Sequence, residues 1–324
     1  MIELIIKISN VILPIFILMG IGVICYYKKT LDNKTNNQLK ALTYNITMPV
    51  MLFYFMTKSD SEIISYSYIL LVFAYCIIIT GIAFLINHKY FTKNNKETGI
   101  ASLNWIFSNS AYIGLPMAFL AFGQKGLEPA IIITVIFTIV FLGLTLFLSN
   151  IDDLIQSKKR FITFTIDLFK KIFLSPIILC PILGLMIAIY QIELPQFINY
   201  SLSLIANANM GLALIVMGFS LVSVFYKQDN QDLRIFWCEI ICLNSFKLIL
   251  CPLIAFLIIY SFDFNIIWKS IFILQSSLAT GLISYIVASN AKVYERRSAF
   301  AILSGTILSL ITLPILIGFL FIWN

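Results

Sequence analysis

Ten apolar runs, each about 20 residues long, follow one another with only short polar links between them. Hydrocarbon about 30 Å thick takes about 20 residues of helix at 1.5 Å each, so each run is long enough to cross a bilayer. The runs lie near 4–27, 41–57, 67–87, 100–122, 129–149, 172–190, 198–225, 235–260, 266–289 and 298–322. No link is long enough for a soluble domain, and the longest, 150–171, reads as a charged linker. At 60% apolar and 11% charged, with mean hydropathy +0.97, the chain stands apart from soluble domains. Those are about 45–50% apolar and about 25% charged. The expected fold is therefore an all-α polytopic membrane protein. The first run is too long for a signal-peptide core and has no small-residue cleavage site before Lys28, so it reads as a retained span.

The basic residues give an orientation. Seventeen lysines and arginines fall in the links after runs 1, 3, 5, 7 and 9, and four fall on the opposite side (Lys7, Lys58, Lys125 and Lys269). Basic residues collect on the cytoplasmic side. The odd-numbered links are expected to be cytoplasmic and both termini extracytoplasmic, in a cell-membrane protein. The net charge of +7 is spread over these short links, so topology accounts for it better than nucleic acid does.

A weak internal repeat appears at an offset of 162 residues. Pro14 and Ile15 match Pro176 and Ile177, Gly22 matches Gly184, Asn45 matches Asn207, Met48 matches Met210, and Pro49 falls on Gly211. Later the offset drifts to 167, where Ser110 meets Ser277 and Gly114 meets Gly281. The matched positions include the helix breakers. Each half holds five runs, and an odd number turns the second half upside down relative to the first. The expected plan is thus two inverted five-helix repeats, 1–149 and 172–324, joined by a cytoplasmic linker at 150–171. Inverted repeats place their sites at the midplane, where discontinuous helices meet.

Run 4 holds the segment Asn109-Ser110-Ala111-Tyr112-Ile113-Gly114-Leu115-Pro116 at mid-membrane depth. Proline has no N–H and clashes with the carbonyl four residues back, and glycine lets the backbone leave helical geometry. Backbone groups freed in hydrocarbon must be satisfied by protein or by a water-filled cavity. A second half-helix is expected to start near Leu115 with bare N–H groups, which favour anions. A simple proline kink is the alternative. Run 9 carries Gln275, Ser276, Ser277, Thr280 and Gly281 at the corresponding depth, a set that suits either a polar site or close helix packing.

Lys247 lies near the centre of run 8, where an ammonium costs about 2.5–3.5 kcal/mol on insertion scales. Two readings are open: a bond to carbonyls at a helix break, or a counter-charge for an anionic substrate. Asn244 shares its face, and Glu239 is too far along the helix to pair with it directly. Runs 2 and 7 supply Asn45, Thr47 and Pro49, and Asn207 and Asn209. These asparagines suit a substrate, a coupling ion or interhelical hydrogen bonds.

Enzyme constellations are missing from the sequence. His88 is the only histidine and sits in a link, and no GxxxxGK[ST] phosphate loop occurs. The six cysteines lie in or beside apolar runs and read as packing residues rather than metal ligands.

The motifs together resemble the auxin efflux carrier family, whose bacterial members include permeases assigned to malate and malonate. The resemblance rests on Asn109 to Pro116, on Thr47-Met48-Pro49 with Leu52-Phe53, and on Leu214 to Leu221. It continues through Lys247 to Pro252, Gln275-Ser276-Ser277, and Thr306 to Pro314. It implies ten helices in two inverted repeats with helices 4 and 9 crossing, and secondary transport of an organic anion. Ala279 stands where the family often has a proline, and the long central loop of the plant carriers is absent here.

The expected activity is alternating-access transport of a small carboxylate, with no enzyme chemistry and no cofactor. The expected substrate-binding residues are Asn109, Ser110, Gly114, Pro116, Lys247, Gln275, Ser276, Ser277, Thr280 and Gly281. Asn45, Thr47, Pro49, Asn207, Asn209 and Asn244 are expected to hold a coupling ion or to support that set. Coupling to H+ or to Na+ is open, and the chain can pair as a homodimer in the bilayer. The rivals are a sodium-coupled symporter of the bile-acid type, which wants paired acidic residues near the crossing, and a membrane sensor that binds without flux.

Overall fold

The computed structural model describes residues 2–59, 66–92, 94–150, 170, 173–225 and 233–323. Among these residues the chain is helical, without strands. Helices occupy all ten apolar runs. In chain order they are α1 (Ile2–Tyr27), α2 (Asn33–Leu42), α3 (Met48–Met56), α4 (Tyr66–Tyr90), α5 (Asn95–Ile106), α6 (Leu115–Phe122), α7 (Gln124–Phe137) and α8 (Gly143–Ser149). The chain continues through α9 (Pro176–Ile189), α10 (Gln196–Phe225), α11 (Leu233–Ser245), α12 (Cys251–Tyr260), α13 (Ile266–Ser276), α14 (Leu282–Ala291) and α15 (Glu295–Trp323). Among the described residues six stretches are long and apolar enough to cross a membrane: α1, α4, Gln124–Ser149, Gln196–Val222, Phe236–Tyr260 and α15. The linker read at 150–171 lies outside the described residues apart from Asn150 and Lys170.

Three of the joints share one cause. Wide π turns at Thr43–Thr47, Ser110–Gly114 and Phe246–Leu250 are each followed by an α-helix whose second residue is proline: Pro49, Pro116 and Pro252. Proline cannot donate to the carbonyl four residues back and pushes it away. Widening the preceding turn removes the clash without ending the helix. These turns carry Thr47, Ser110 and Lys247, three residues singled out from the sequence.

Two helices are interrupted outright. The chain is extended between α5 and Ser110, and again between α13 and α14, and the two interruptions pair. Asn109 N–H donates to Ala279 O at 2.9 Å and Gly281 N–H to Phe107 O at 2.8 Å, forming an antiparallel bridge between Ser108 and Thr280. Gly281 is required by closeness rather than by its φ of −79°: a Cβ there would stand 2.9 Å from both the Phe107 ring and Ser108 O.

Around this centre, helices meet backbone to backbone. α1 packs along α10, and α9 packs along α3. A Cβ on Gly22 would strike Ile215 O, and one on Gly184 would lie 2.5 Å from Phe53 O. At one end of the bundle an ionic cluster ties three helices, α5, α11 and α15. Arg297 Nη1 lies 2.8 Å from Glu239 Oε2 and 3.9 Å from Glu97 Oε1, and the Tyr294 hydroxyl donates to Glu239. Glu239 is thus engaged with Arg297 rather than with Lys247, as their helical separation predicts.

Candidate functional site

The bridge brings four half-helix ends to one place. α5 and α13 end there, and the helix Ser110–Phe122 and α14 begin there. The ends of each kind are treated differently.

The last-turn carbonyls of α5 lack helical partners and must find others. Phe107 N–H takes Leu103 O, and Thr280 Oγ1 donates to Asn104 O at 2.8 Å. Lys247 Nζ donates to Ile106 O and to Ser108 Oγ, both at 2.6 Å. The lysine is 1% exposed. Of its two readings, the bond to carbonyls at a break is the one its contacts match. At α13 the serines close the end locally: Ser276 Oγ donates to Ile273 O and Ser277 Oγ to Leu274 O, each at 2.7 Å.

The helix starts are left open. The first N–H groups of a helix have no partner within it. Here those belong to Ser110, Ala111 and Tyr112 on one side and to Leu282 and Ile283 on the other. All five residues line one small cavity with Phe107, Ser108, Asn109, Thr134, Phe137, Thr138, Ile177 and Gly281. It has room for about one water molecule. Ser110 Oγ is buried at its edge with no hydrogen-bond partner. Asn109 Nδ2 reaches Met217 Sδ at 3.6 Å, a weak contact.

This cavity adjoins a much larger one of about 860 Å³, with which it shares Tyr112, Thr138, Leu282 and Ile283. The larger cavity lies between α2, α5, α8, α9 and α14, and Lys40, Lys96, Asn45 and Asn290 are among its polar lining. Lys40 stands just before the apolar run of α2 and α3. Burial pulls its ammonium down to about 8. The volume is within the range of small-molecule sites.

The structure corrects several sequence expectations. The break in run 4 falls at Phe107–Asn109, not at Gly114; the second half-helix starts at Ser110, and Leu115 N–H is bonded to Ser110 O. Pro116 only widens a turn inside it. Ser108 pairs with Thr280 across the bridge, a separation of 172 residues. Gly114 instead makes room for the Gln275 side chain, on which a Cβ would land. Gln275 is fully buried with both amide atoms unpartnered. Of the ten residues expected at the site, Asn109, Ser110 and Gly281 line the small cavity. Lys247, Ser276, Ser277 and Thr280 close helix ends behind it.

Among the supporting residues, Thr47 Oγ1 donates to Asn209 Oδ1 at 2.6 Å, and Asn209 Nδ2 reaches Met51 Sδ at 3.3 Å. Pro49 is buried in α3. Asn244 donates to Ile240 O and to Ser304 Oγ, bracing α11 against α15. Asn207 is exposed and away from the breaks, and Asn45 faces the large cavity. Sequence reasoning missed Thr134 and Thr138. They are four residues apart in an apolar run, hence on one helix face, and that spacing was the available signal.

Comparison with known proteins places this geometry. Residues 7–317 match the family of proteins described as membrane transport protein. The uncharacterized transporter YfdV of Escherichia coli is 23% identical over 312 residues, covering 94% of this chain and 95% of its own. An uncharacterized transporter of Methanocaldococcus jannaschii is 23% identical over 314 residues, 94% and 96% of the two chains. One from Methanothermobacter thermautotrophicus is 24% identical over 313 residues, 95% and 96%. With apolar helices throughout and this family match across nearly its whole length, the chain is a multi-pass membrane protein that belongs to the membrane transport protein family, the family of the auxin efflux carriers.

Proposed function

We propose that the protein is an alternating-access secondary transporter for a small organic anion, a carboxylate, bound where the two interrupted helices meet. One observation carries the reading: two half-helix starts, at Ser110 and Leu282, converge on a single cavity. Each start contributes about half a positive charge and bare N–H donors. The unpartnered Ser110 Oγ adds a third kind of donor. A carboxylate oxygen fits the small cavity, and the body of the substrate occupies the larger one beside it. Lys247 adds a fixed positive charge behind Ser108, and Lys40 and Lys96 draw anions into the vestibule.

The same reading takes the fold as two inverted repeats, 1–149 and 172–324, crossing at the bridge. The contacts supporting it obey the 162-residue offset. Gly22 fits against Ile215 O as Gly184 fits against Phe53 O, and both members of the second pair follow from the first at that offset. Thr47 and Asn209, also 162 apart, touch each other, as equivalent residues do beside a two-fold axis. On this reading the basic links face the cytoplasm, so that Lys40, Lys96 and Asn290 lie on that side, the vestibule opens inward and both termini are outside.

The test is a thermal-shift screen of dicarboxylates, amino acids and indole acids on purified protein, followed by flux of the stabilising compound in proteoliposomes. Asn109→Ala and Ser110→Ala are expected to cut flux by at least about tenfold. Folded variants with full flux and affinity would overturn the site, and binding without flux would favour the sensor.

A further inference from the structure

We infer that the Lys247 ammonium is a tethered cation that fills a monovalent-cation subsite at the end of α5. A helix end of bare carbonyls carries about half a negative charge and favours a cation. Broken helices in transporters use such ends, with unwound backbone, to hold coupling cations. Here the end is formed by Ile106 O, with the Ser108 hydroxyl beside it in the extended segment. Both oxygens are 2.6 Å from Nζ, and no carboxylate stands within ion-pair distance of Lys247 among the described residues. Its neighbours Cys76 and Cys251 are thiols. The lysine thus answers to oxygens of the break rather than to an acidic side chain.

Its own helix aims it there. The π turn Phe246–Leu250, forced by Pro252, carries Lys247 across from α11 and α12 to the end of α5. An ammonium brought in this way is always present, whereas a free ion must be captured on each cycle. Among the described residues the second break has no counterpart. Its carbonyls are closed by Ser276 and Ser277, so no second cation is called for there.

The subsite goes beyond the anion reading and stands whether or not an anion is carried. The test therefore needs no substrate. Melting of purified wild type and Lys247→Ala is compared in sodium, methylammonium and choline chlorides at one ionic strength. Choline is too large to enter. Wild type is expected to melt alike in all three. Lys247→Ala is expected to melt lower in choline and to recover at least about 2 °C in sodium or methylammonium. Lys247→Ser is also too short to reach Ile106 O, leaves the subsite open, and gives the same series should the alanine variant fail to fold. A wild type stabilised by sodium, or variants that melt alike in all three salts, would overturn the inference. Failure to find a transported anion would leave these melts unchanged.

Discussion

At the first break the carbonyls of α5 are taken by residues from elsewhere in the chain: Lys247 from the turn before α12 and Thr280 from the opposite break. At the second, α13 closes itself with Ser276 and Ser277. The first break therefore depends on tertiary contacts with two other segments, and the second is local. Yet the two helix starts beyond them, Ser110 and Leu282, are left equally bare and face the same cavity. The two breaks agree at their helix starts and differ in how their carbonyl ends are braced. The difference also assigns a sign to each side of the bridge: a resident cation behind it, open positive helix ends in front.

The largest effect is expected from closing the gap between the breaks. Gly281→Ala drives a Cβ against Phe107 and the Ser108 carbonyl, and backbone cannot step aside as a flexible side chain can. Overpacking of this kind costs about 1–3 kcal/mol. A melt several degrees lower and flux below a tenth of wild type are expected; near-wild-type values would show that the bridge is not needed.

A smaller effect comes from the vestibule. Burial holds the Lys40 ammonium at about 8, so the group is charged below that pH and neutral above it. Apparent affinity for the anion is expected to fall a few-fold as pH rises from 7 to 9 and to fall further with salt. Lys40→Gln should lower affinity at pH 7 and flatten this part of the profile. An unchanged profile would remove Lys40 from the path.

Thr47→Val removes the donor to Asn209 where the halves touch. A loss of about 0.5–1.5 kcal/mol is expected in a denaturation assay, with binding retained. Smallest and opposite in sign is Gly211→Ala. This glycine lies inside α10 with open space where a Cβ would stand, so a gain of up to about 1 kcal/mol is expected from helix propensity alone. A loss there would mean that α10 must bend at Gly211.

The helices were legible because hydrocarbon demands long apolar runs, and α1, α4 and α15 follow theirs within a few residues. The break in run 4 was legible as an event but not as a position. Gly114 and Pro116 mark a widened turn, whereas the interruption at Phe107–Asn109 is fixed by Ala279 and Gly281, about 170 residues away, which no local pattern reveals. Lys247 was visible as an expense without a partner. Its partner is a backbone carbonyl, a group every residue carries, so sequence could not single it out. Glu239 and Arg297 were read apart, one as a remote acid and one as a topology signal, and only packing joins them.

If the converging helix starts hold an anion, Ser110→Asp competes with it for that place. A carboxylate built in at the bare N–H groups would occupy the place of the substrate's own, much as Lys247 occupies that of a cation. The measurement is the thermal shift produced by the carboxylate selected in the screen. Ser110→Asp is expected to fold, to melt no lower than Ser110→Ala without ligand, and to lose the ligand-induced shift that wild type shows. A Ser110→Asp protein that keeps the wild-type shift would contradict anion binding at these helix starts.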